Sequence, residues 1–361
     1  MQVEIKVLLL SRYDTLGASS RVRSYQYLPF LREHGVSVTV SPLFSNAYLQ
    51  ALYDKRTSWF EVIKSYSRRF FKLFTLYKYD VVLIEKELFP FLPAVVERLM
   101  SVFGMPYLVD YDDALFHRYD THRSSWVRAL LGKKIDTVMK RAAVVVAGND
   151  YLAARAEQAG AKNVIIIPTV VDSEHYQPTL EMYPHDELTV GWIGTPKTSQ
   201  YLQELLPVFA AIKKDYAVRF VAIGANSEDF KGTPVEVWPW TEETEVSLIQ
   251  QFDIGIMPLK DSPWERGKCG YKLIQYMACG LPVIASPVGV NAEIVKPGIN
   301  GLLANSQVEW ENALTILLEL DELPRTQLGM AGRRMIEETY SLQSQAPRLL
   351  AVIKEASAAT K

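Results

Sequence analysis

The chain has 361 residues, 48% hydrophobic and 22% charged, with a formal net charge of −2. At ~150 residues per domain this length implies two domains, because one hydrophobic core rarely grows past ~250–300 residues. The composition leaves no room for a long disordered tract, and the charge balance excludes a general nucleic-acid binder, so no nucleic-acid partner is expected.

Two cysteines, Cys269 and Cys279, cannot build a disulfide framework, and the five histidines show no zinc-site spacing. A reducing, cytoplasmic setting is expected. No apolar run approaches the ~20 residues of a spanning helix. The start, Met1 to Leu10, mixes charges into its apolar run and reads as a buried strand rather than a signal peptide. Charge is unevenly spread: residues 1–180 hold 23 Lys and Arg against 18 Asp and Glu, the remainder 16 against 23. A net positive first half suits a partner that is anionic.

In chain order, apolar runs at Ile5–Leu10, Ser37–Val40, Val81–Ile84, Tyr107–Val109, Val144–Ala147 and Val164–Ile167 alternate with helical patterns. Continuous Val/Ile/Leu runs of this kind mark parallel strands buried on both faces by crossover helices. The rhythm breaks at Asp172 to Glu187, a polar stretch with two prolines that reads as a linker. A second series follows at Leu188–Ile193, Val218–Ile223, Val235–Trp238, Ile254–Pro258 and Pro282–Ala285. The fold class is α/β, with two Rossmann-like doubly wound domains facing across a cleft, over residues 1–175 and 186–340.

One helical segment, residues 55–78, combines Lys55, Arg56, Lys64, Arg68, Arg69, Lys72 and Lys78 with aromatic residues at helical spacing. Such a segment either packs its aromatic face into the core or rests on an anionic membrane surface.

After the first strand, Ser11 to Arg23 holds Gly17, Arg21 and Arg23 at a helix start. With a single glycine it lacks the dinucleotide fingerprint, yet it offers a pocket for an anionic group. Asp110-Tyr111-Asp112-Asp113 follows a strand at the carboxyl end, where open α/β sheets bind ligands. Such carboxylates bind a cation, accept from sugar hydroxyls, act as a base or cap the next helix. His117 is a further acid/base candidate.

The second half carries two glycine turns. Gly194-Thr195-Pro196-Lys197 follows its first strand. Arg266-Gly267-Lys268-Cys269-Gly270-Tyr271-Lys272 opens a helix that continues to Gln275, so amide N–H groups, the helix dipole and cations converge on one anion. A diphosphate fits that chemistry. Lys272 and Gln275 share a helical face, one placed for phosphate and the other for a neighbouring ribose.

Met277-Ala-Cys-Gly-Leu-Pro-Val-Ile-Ala-Ser-Pro-Val-Gly289, then Glu293-Ile-Val and Gly298-Ile-Asn-Gly301, resembles the C-terminal signature of the retaining GT-B glycosyltransferases, family 4. The resemblance reaches outward to Asp253–Pro258 and Ile167–Asp172. It implies a C-terminal domain that binds a nucleotide-sugar and an N-terminal domain that binds the acceptor, a glycan or lipid-linked molecule. It also implies a last helix, within residues 341–361, that crosses back to the first domain.

Three departures accompany it. The family's paired glutamates fall at Gly267 and Gln275, and its acceptor-domain histidine is replaced by Asp112, with Asp113 retained. The family's diphosphate-gripping Arg and Lys fall near Thr195 and Gln200, leaving Lys197, Arg266, Lys268 or Lys272 to supply charge.

The implied reaction retains anomeric configuration in cell-surface polysaccharide biosynthesis, with a UDP-sugar the expected donor and neither metal nor other cofactor required. Gly270, Tyr271, Lys272 and Lys197 would stabilise the departing diphosphate, and Trp240 would offer the nucleobase an aromatic surface. Asp112, Asp113 and Lys272 are the catalytic expectations; Gly17, Arg21, Arg23 and His117 are expected at the acceptor. An epimerase of similar fold, or a non-catalytic nucleotide-sugar binder, are the alternatives.

Overall fold

A computed structural model describes residues 4–54, 56, 58–179 and 187–358. Lys55 of the basic segment and residues 180–186 of the expected linker lie outside the described residues. The chain divides into two compact units. The first runs to Val170 and includes Gly267–Cys269 and the chain from Ser344 onward; the second holds Val171–Arg266 and Gly270–Gln343.

In the first unit, β1 (Ile5–Leu10), β2 (Val36–Val40), β3 (Val81–Glu85), β4 (Tyr107–Tyr111), β5 (Val144–Ala147) and β6 (Val164–Ile166) form a parallel sheet in the order β2-β1-β3-β4-β5-β6. Every residue of β3, β4 and β5 is buried, which is why these strands read as unbroken apolar runs rather than alternating ones. The order reverses at β1, where β2 lies on one side and β3 on the other. The carboxyl ends of β1 and β3 are thus the switch point where doubly wound sheets take ligands.

The second unit repeats the plan. Strands β7 (Leu188–Ile193), β8 (Val218–Ile223), β9 (Val235–Trp238), β10 (Ile254–Met257), β11 (Val283–Ala285) and β12 (Gly301–Leu303) are parallel in the order β12-β11-β10-β7-β8-β9. Here the reversal falls between β7 and β10. Pro258 and Pro282 lie just outside β10 and β11, since neither has an N–H to give the ladder. The glycine-led β12 is too short to stand out as an apolar run.

Two boundaries differ from expectation. The first unit ends at Val170, not 175, because the chain beyond it is tied to the second unit: Val171 N–H donates to Tyr340 O at 3.1 Å, and Ser173 Oγ to Gln343 Oε1 at 2.9 Å. The Leu342–Ala358 helix groups with the first unit from Ser344 onward.

The basic segment forms the Trp59–Leu73 helix, which Ser58 caps by accepting from Phe60 N–H. Tyr66 and Leu73 pack on the core, but the other buried positions are Ser65 and Arg69. Arg69 donates to the carbonyls of Ser11 (2.6 Å) and Ser41 (2.9 Å). Most of the aromatic face points outward.

Candidate functional site

In the second unit the elements at the switch point converge. The turn after β7 is closed by its own residues: Thr195 N–H donates to Thr198 Oγ1 at 3.1 Å and Thr198 N–H to Thr195 O at 2.9 Å. The Tyr271–Ala278 helix crosses the end of β7, with Tyr276 OH accepting from Ile193 N–H at 2.8 Å. Lys272 Nζ lies 5.4 Å from the Trp192 ring, a cation–π placement. Trp192 in turn packs against Gly194, where a Cβ would come within 2.4 Å of its ring. Gly194 and Lys272, 78 positions apart in the numbering, therefore meet around one indole.

Gly270 precedes the helix with φ +66°, a left-handed backbone that L side chains resist, and any Cβ there would meet Ile294 at 2.5 Å. This bend aims the helix's first N–H groups outward from its start, the geometry that favours anions. The amide oxygen of Asn291 lies beside Gly270, buried and without a hydrogen-bond partner.

A second group of side chains centres on Glu245. Its Oε2 accepts from Trp240 Nε1 at 2.6 Å, and its Oε1 accepts from Gln275 Nε2 at 2.9 Å and from Tyr176 OH. Gln275 Nε2 also reaches Tyr176 OH at 3.1 Å. Burial pushes the Tyr176 phenol well above its ordinary range, so it stays a donor. Gln275 is thus a buried member of a hydrogen-bonded network. Trp240 is half-buried, its indole held by Glu245.

Lys197 is exposed. Arg266 is exposed and bonded to both Asp261 oxygens, at 2.6 and 2.9 Å, so a carboxylate already offsets its charge. Gly267, Lys268 and Cys269 group with the first unit. Asn149 Nδ2 donates to the carbonyls of Gly267 (3.2 Å) and Lys268 (3.0 Å), while Asn149 Oδ1 caps the Asp150–Gln158 helix. A Cβ at Gly267 would lie 2.5 Å from Ala114 Cβ and 2.7 Å from its N, so no glutamate fits there. Cys269 is buried, its Sγ 3.2 Å from Asp112 O, and burial pushes its thiol up to about 12. It is an inert packing thiol rather than a ligand-binding one.

In the first unit, the switch point is lined by paired charges. Lys86 Nζ sits 2.8 Å from both Asp112 Oδ1 and Asp113 Oδ2. Lys86 has φ +65°, rare for a residue with a side chain, and this turn brings its ammonium back over the carboxylates. Burial works against ionising Asp112, but Lys86 and a hydrogen bond from Ser19 Oγ outweigh it and hold Asp112 below the usual carboxylate range. Neither aspartate caps the next helix, His117–Asp120.

Arg23 is buried: Nε and Nη2 meet Asp110 at 3.0 and 2.5 Å, and Nη1 donates to Ile167 O at 2.8 Å. Burial alone would lower its pKa; the Asp110 carboxylate reverses this and raises it. Arg23 is therefore an internal tie between Asp110 and Ile167. His117 is committed likewise, Nδ1 to Asp120 at 2.9 Å and Nε2 to Tyr151 OH at 2.9 Å. Gly17 precedes the Ala18–Arg23 helix and lies against Tyr13, where a Cβ would come within 2.5 Å. Arg21, in that helix, is half-buried.

Sequence reasoning missed Glu245, Tyr176, Asn291, Lys86 and Ser19. A lysine between two glutamates, Glu85-Lys86-Glu87, reads as an ordinary solvated charge run; only the strand that ends there and the turn that follows place it inside.

Residues 187–320 match the family described as glycosyl transferases group 1. TuaH of Bacillus subtilis strain 168, described as a teichuronic acid biosynthesis glycosyltransferase, is 23% identical over 219 residues, 56% of this chain and 52% of the relative. The chain thus matches about half the length of that relative. Sucrose-phosphate synthase from Thermosynechococcus elongatus superposes with a TM-score of 0.76 at 17% identity, covering 98% of this chain and 100% of that one. HepE of Anabaena, solved with UDP and glucose, superposes with a TM-score of 0.67 at 15% identity, covering 97% and 100%. The fold is the two-domain GT-B plan.

Proposed function

We propose, on the premise that residues 187–320 belong to glycosyl transferases group 1, that the protein is a glycosyltransferase that moves a hexosyl group from a nucleotide-sugar to a glycan or lipid-linked acceptor. The observation that carries the reading is the junction of Gly194, Trp192 and Lys272 at the start of the Tyr271–Ala278 helix, inside the matched segment. Amide N–H groups and an ammonium there suit a diphosphate.

The hard step is departure of the nucleoside diphosphate, because charge gathers on its oxygen as the bond to the anomeric carbon breaks. Lys272 and the first helical N–H groups would stabilise that charge. The acceptor oxygen then forms the new bond on the same face, and its proton passes to the leaving phosphate oxygen. This course retains configuration and asks for no strong side-chain base, in keeping with an Asp112 whose carboxylate is already held by Lys86 and Ser19.

Metal independence has a comparable support: the neighbouring aspartates after β4 already hold an ammonium, the Lys86 Nζ, between Asp112 and Asp113. The UDP bound to HepE and the name of TuaH favour a UDP-sugar and cell-surface polysaccharide synthesis; the exposed basic aromatic helix at residues 59–73 favours a setting in the cytoplasm at the inner face of the membrane.

The test is incubation with UDP-, GDP- and ADP-sugars in EDTA, with and without lipid-linked acceptors, followed by NMR of the product anomer. Acceptor-dependent release of nucleoside diphosphate with a retained anomer is expected. Inversion, or activity that EDTA abolishes, would remove those parts of the reading. Conversion of donor to an epimer without acceptor would replace transfer by epimerisation.

A further inference from the structure

The first unit carries an apolar surface that folding leaves uncovered. On the Trp59–Leu73 helix, Trp59, Phe60, Ile63, Phe70 and Phe71 are exposed, Trp59 at 83%. Helical spacing puts them on one side, opposite the buried Ser65 and Arg69. A helix free to choose would turn this side inward; here two carbonyls gripped by Arg69 fix the opposite orientation.

The surface continues beyond the helix. Tyr66 OH donates to Pro90 O at 2.8 Å, which ties the helix to the loop that presents Phe91 and Leu92. Phe91 holds φ +57°, its N–H bonded to Tyr119 OH at 3.0 Å and its ring 6.5 Å from His122. From this loop the chain enters the Val95–Val102 helix, with Leu99 and Val102 exposed and Phe103 at 80%. Past His122 comes the Ser125–Leu131 helix, with Trp126 at 78% and Leu130 exposed. Isolated apolar side chains on a surface are ordinary; a run across three helices and a strained loop marks a place of contact.

Cations border it. Lys64, Arg68, Arg98 and Arg128 are exposed on these helices, and Lys78 and Arg123 on the segments beside them. The acidic groups among them are few: Glu97 is buried and Glu61 is paired with Lys64 at 4.0 Å. Aromatic residues flanked by Lys and Arg match the boundary of an anionic bilayer, where rings enter the headgroup layer and cations meet phosphates. No described helix is long and apolar enough to cross a membrane.

We propose that this face, built from the Trp59–Leu73, Val95–Val102 and Ser125–Leu131 helices and the Phe91 loop, docks the first unit on an anionic lipid surface by shallow insertion. The assignment deepens the membrane part of the function proposed above and rests on that reading only for its biological purpose.

The test uses the full chain with vesicles of phosphatidylcholine and phosphatidylglycerol (7:3) and of phosphatidylcholine alone. Wild type is expected to co-sediment with the anionic vesicles at least tenfold more than with the neutral ones, with binding weakened by salt. The Phe60→Ser, Phe71→Ser, Phe74→Ser variant, whose changes are all at exposed positions, should keep its melting temperature and its response to UDP while losing at least tenfold in vesicle binding. A Phe91→Ser, Trp126→Ser variant, away from that helix, should lose binding as well.

Absence of binding to anionic vesicles, or equal binding by wild type and both variants, overturns the proposal. So does concentration-dependent dimerisation in light scattering that the triple variant abolishes, since the face would then belong to a second copy. Vesicle binding without any nucleotide response would instead defeat the glycosyltransferase reading and leave the docking face standing.

Discussion

The two units share one strand plan but finish their surfaces differently. Among the described residues, seventeen large hydrophobic side chains are exposed in the first unit, nine of them aromatic, against five in the second, none aromatic. The polar interiors differ too. At the first unit's switch point, cations and carboxylates pair with one another: Lys86 with Asp112 and Asp113, Arg23 with Asp110. In the second, a carboxylate is shared among neutral partners, Trp240, Gln275 and Tyr176, beside a helix start that carries Lys272. An exposed apolar surface and a helix start that carries an ammonium are different tools, and this contrast is where the proposed division, acceptor at the first unit and donor at the second, can be tested.

The sharpest way to break this contrast is Lys272→Ala. If the second unit holds the diphosphate, turnover should fall by ~10²–10³ with little change in melting temperature. An undiminished kcat would remove Lys272 from the site.

Next comes Lys86→Met in the first unit, which leaves two aspartates without their cation. Removing one partner of a buried pair costs about 3–5 kcal/mol, read as a lower urea midpoint at pH 7. The same variant reports on pH. Because Asp112 is held below its ordinary range when folded, its contribution is fully present above an unfolded pKa of about 3.9 and is lost as pH falls through the lower folded value. The gap between wild type and Lys86→Met should therefore narrow as acid is added below pH ~4, and a gap constant with pH would contradict the pairing.

A smaller effect is expected at Gly267→Ala, where the new Cβ meets Ala114; overpacking of this kind costs about 1–3 kcal/mol in a thermal melt. Smallest of all should be Arg266→Ala. Its pair with Asp261 is exposed on both sides and screened by solvent, so the melt should barely move. A large loss of turnover there would show that Arg266 serves the donor after all.

Much of the strand framework was legible in the chain because doubly buried strands leave continuous apolar runs: β1, β5, β7, β8 and β9 have the expected limits. The switch-point networks were not. Arg23 and Asp110 are 87 positions apart and Glu245 and Gln275 are 30 apart, and no local pattern joins them. The helical periodicity of residues 59–73 told which side chains share a face. Which face turns inward was decided by Arg69 and two distant carbonyls, a competition that periodicity does not record. Cys269 and Gly267 looked like part of an anion loop because they precede Gly270; their clamp from Asn149, over a hundred residues earlier, leaves no local pattern.

The most direct single measurement is calorimetric titration of the full chain with UDP, GDP and ADP in EDTA. At least one nucleoside diphosphate should bind, and at a hundredfold excess over its Kd it should stabilise the fold by about 2.7 kcal/mol. No heat from any of the three would contradict a diphosphate site in the second unit, and heat only after magnesium is restored would contradict a site that grips its anion with protein groups alone.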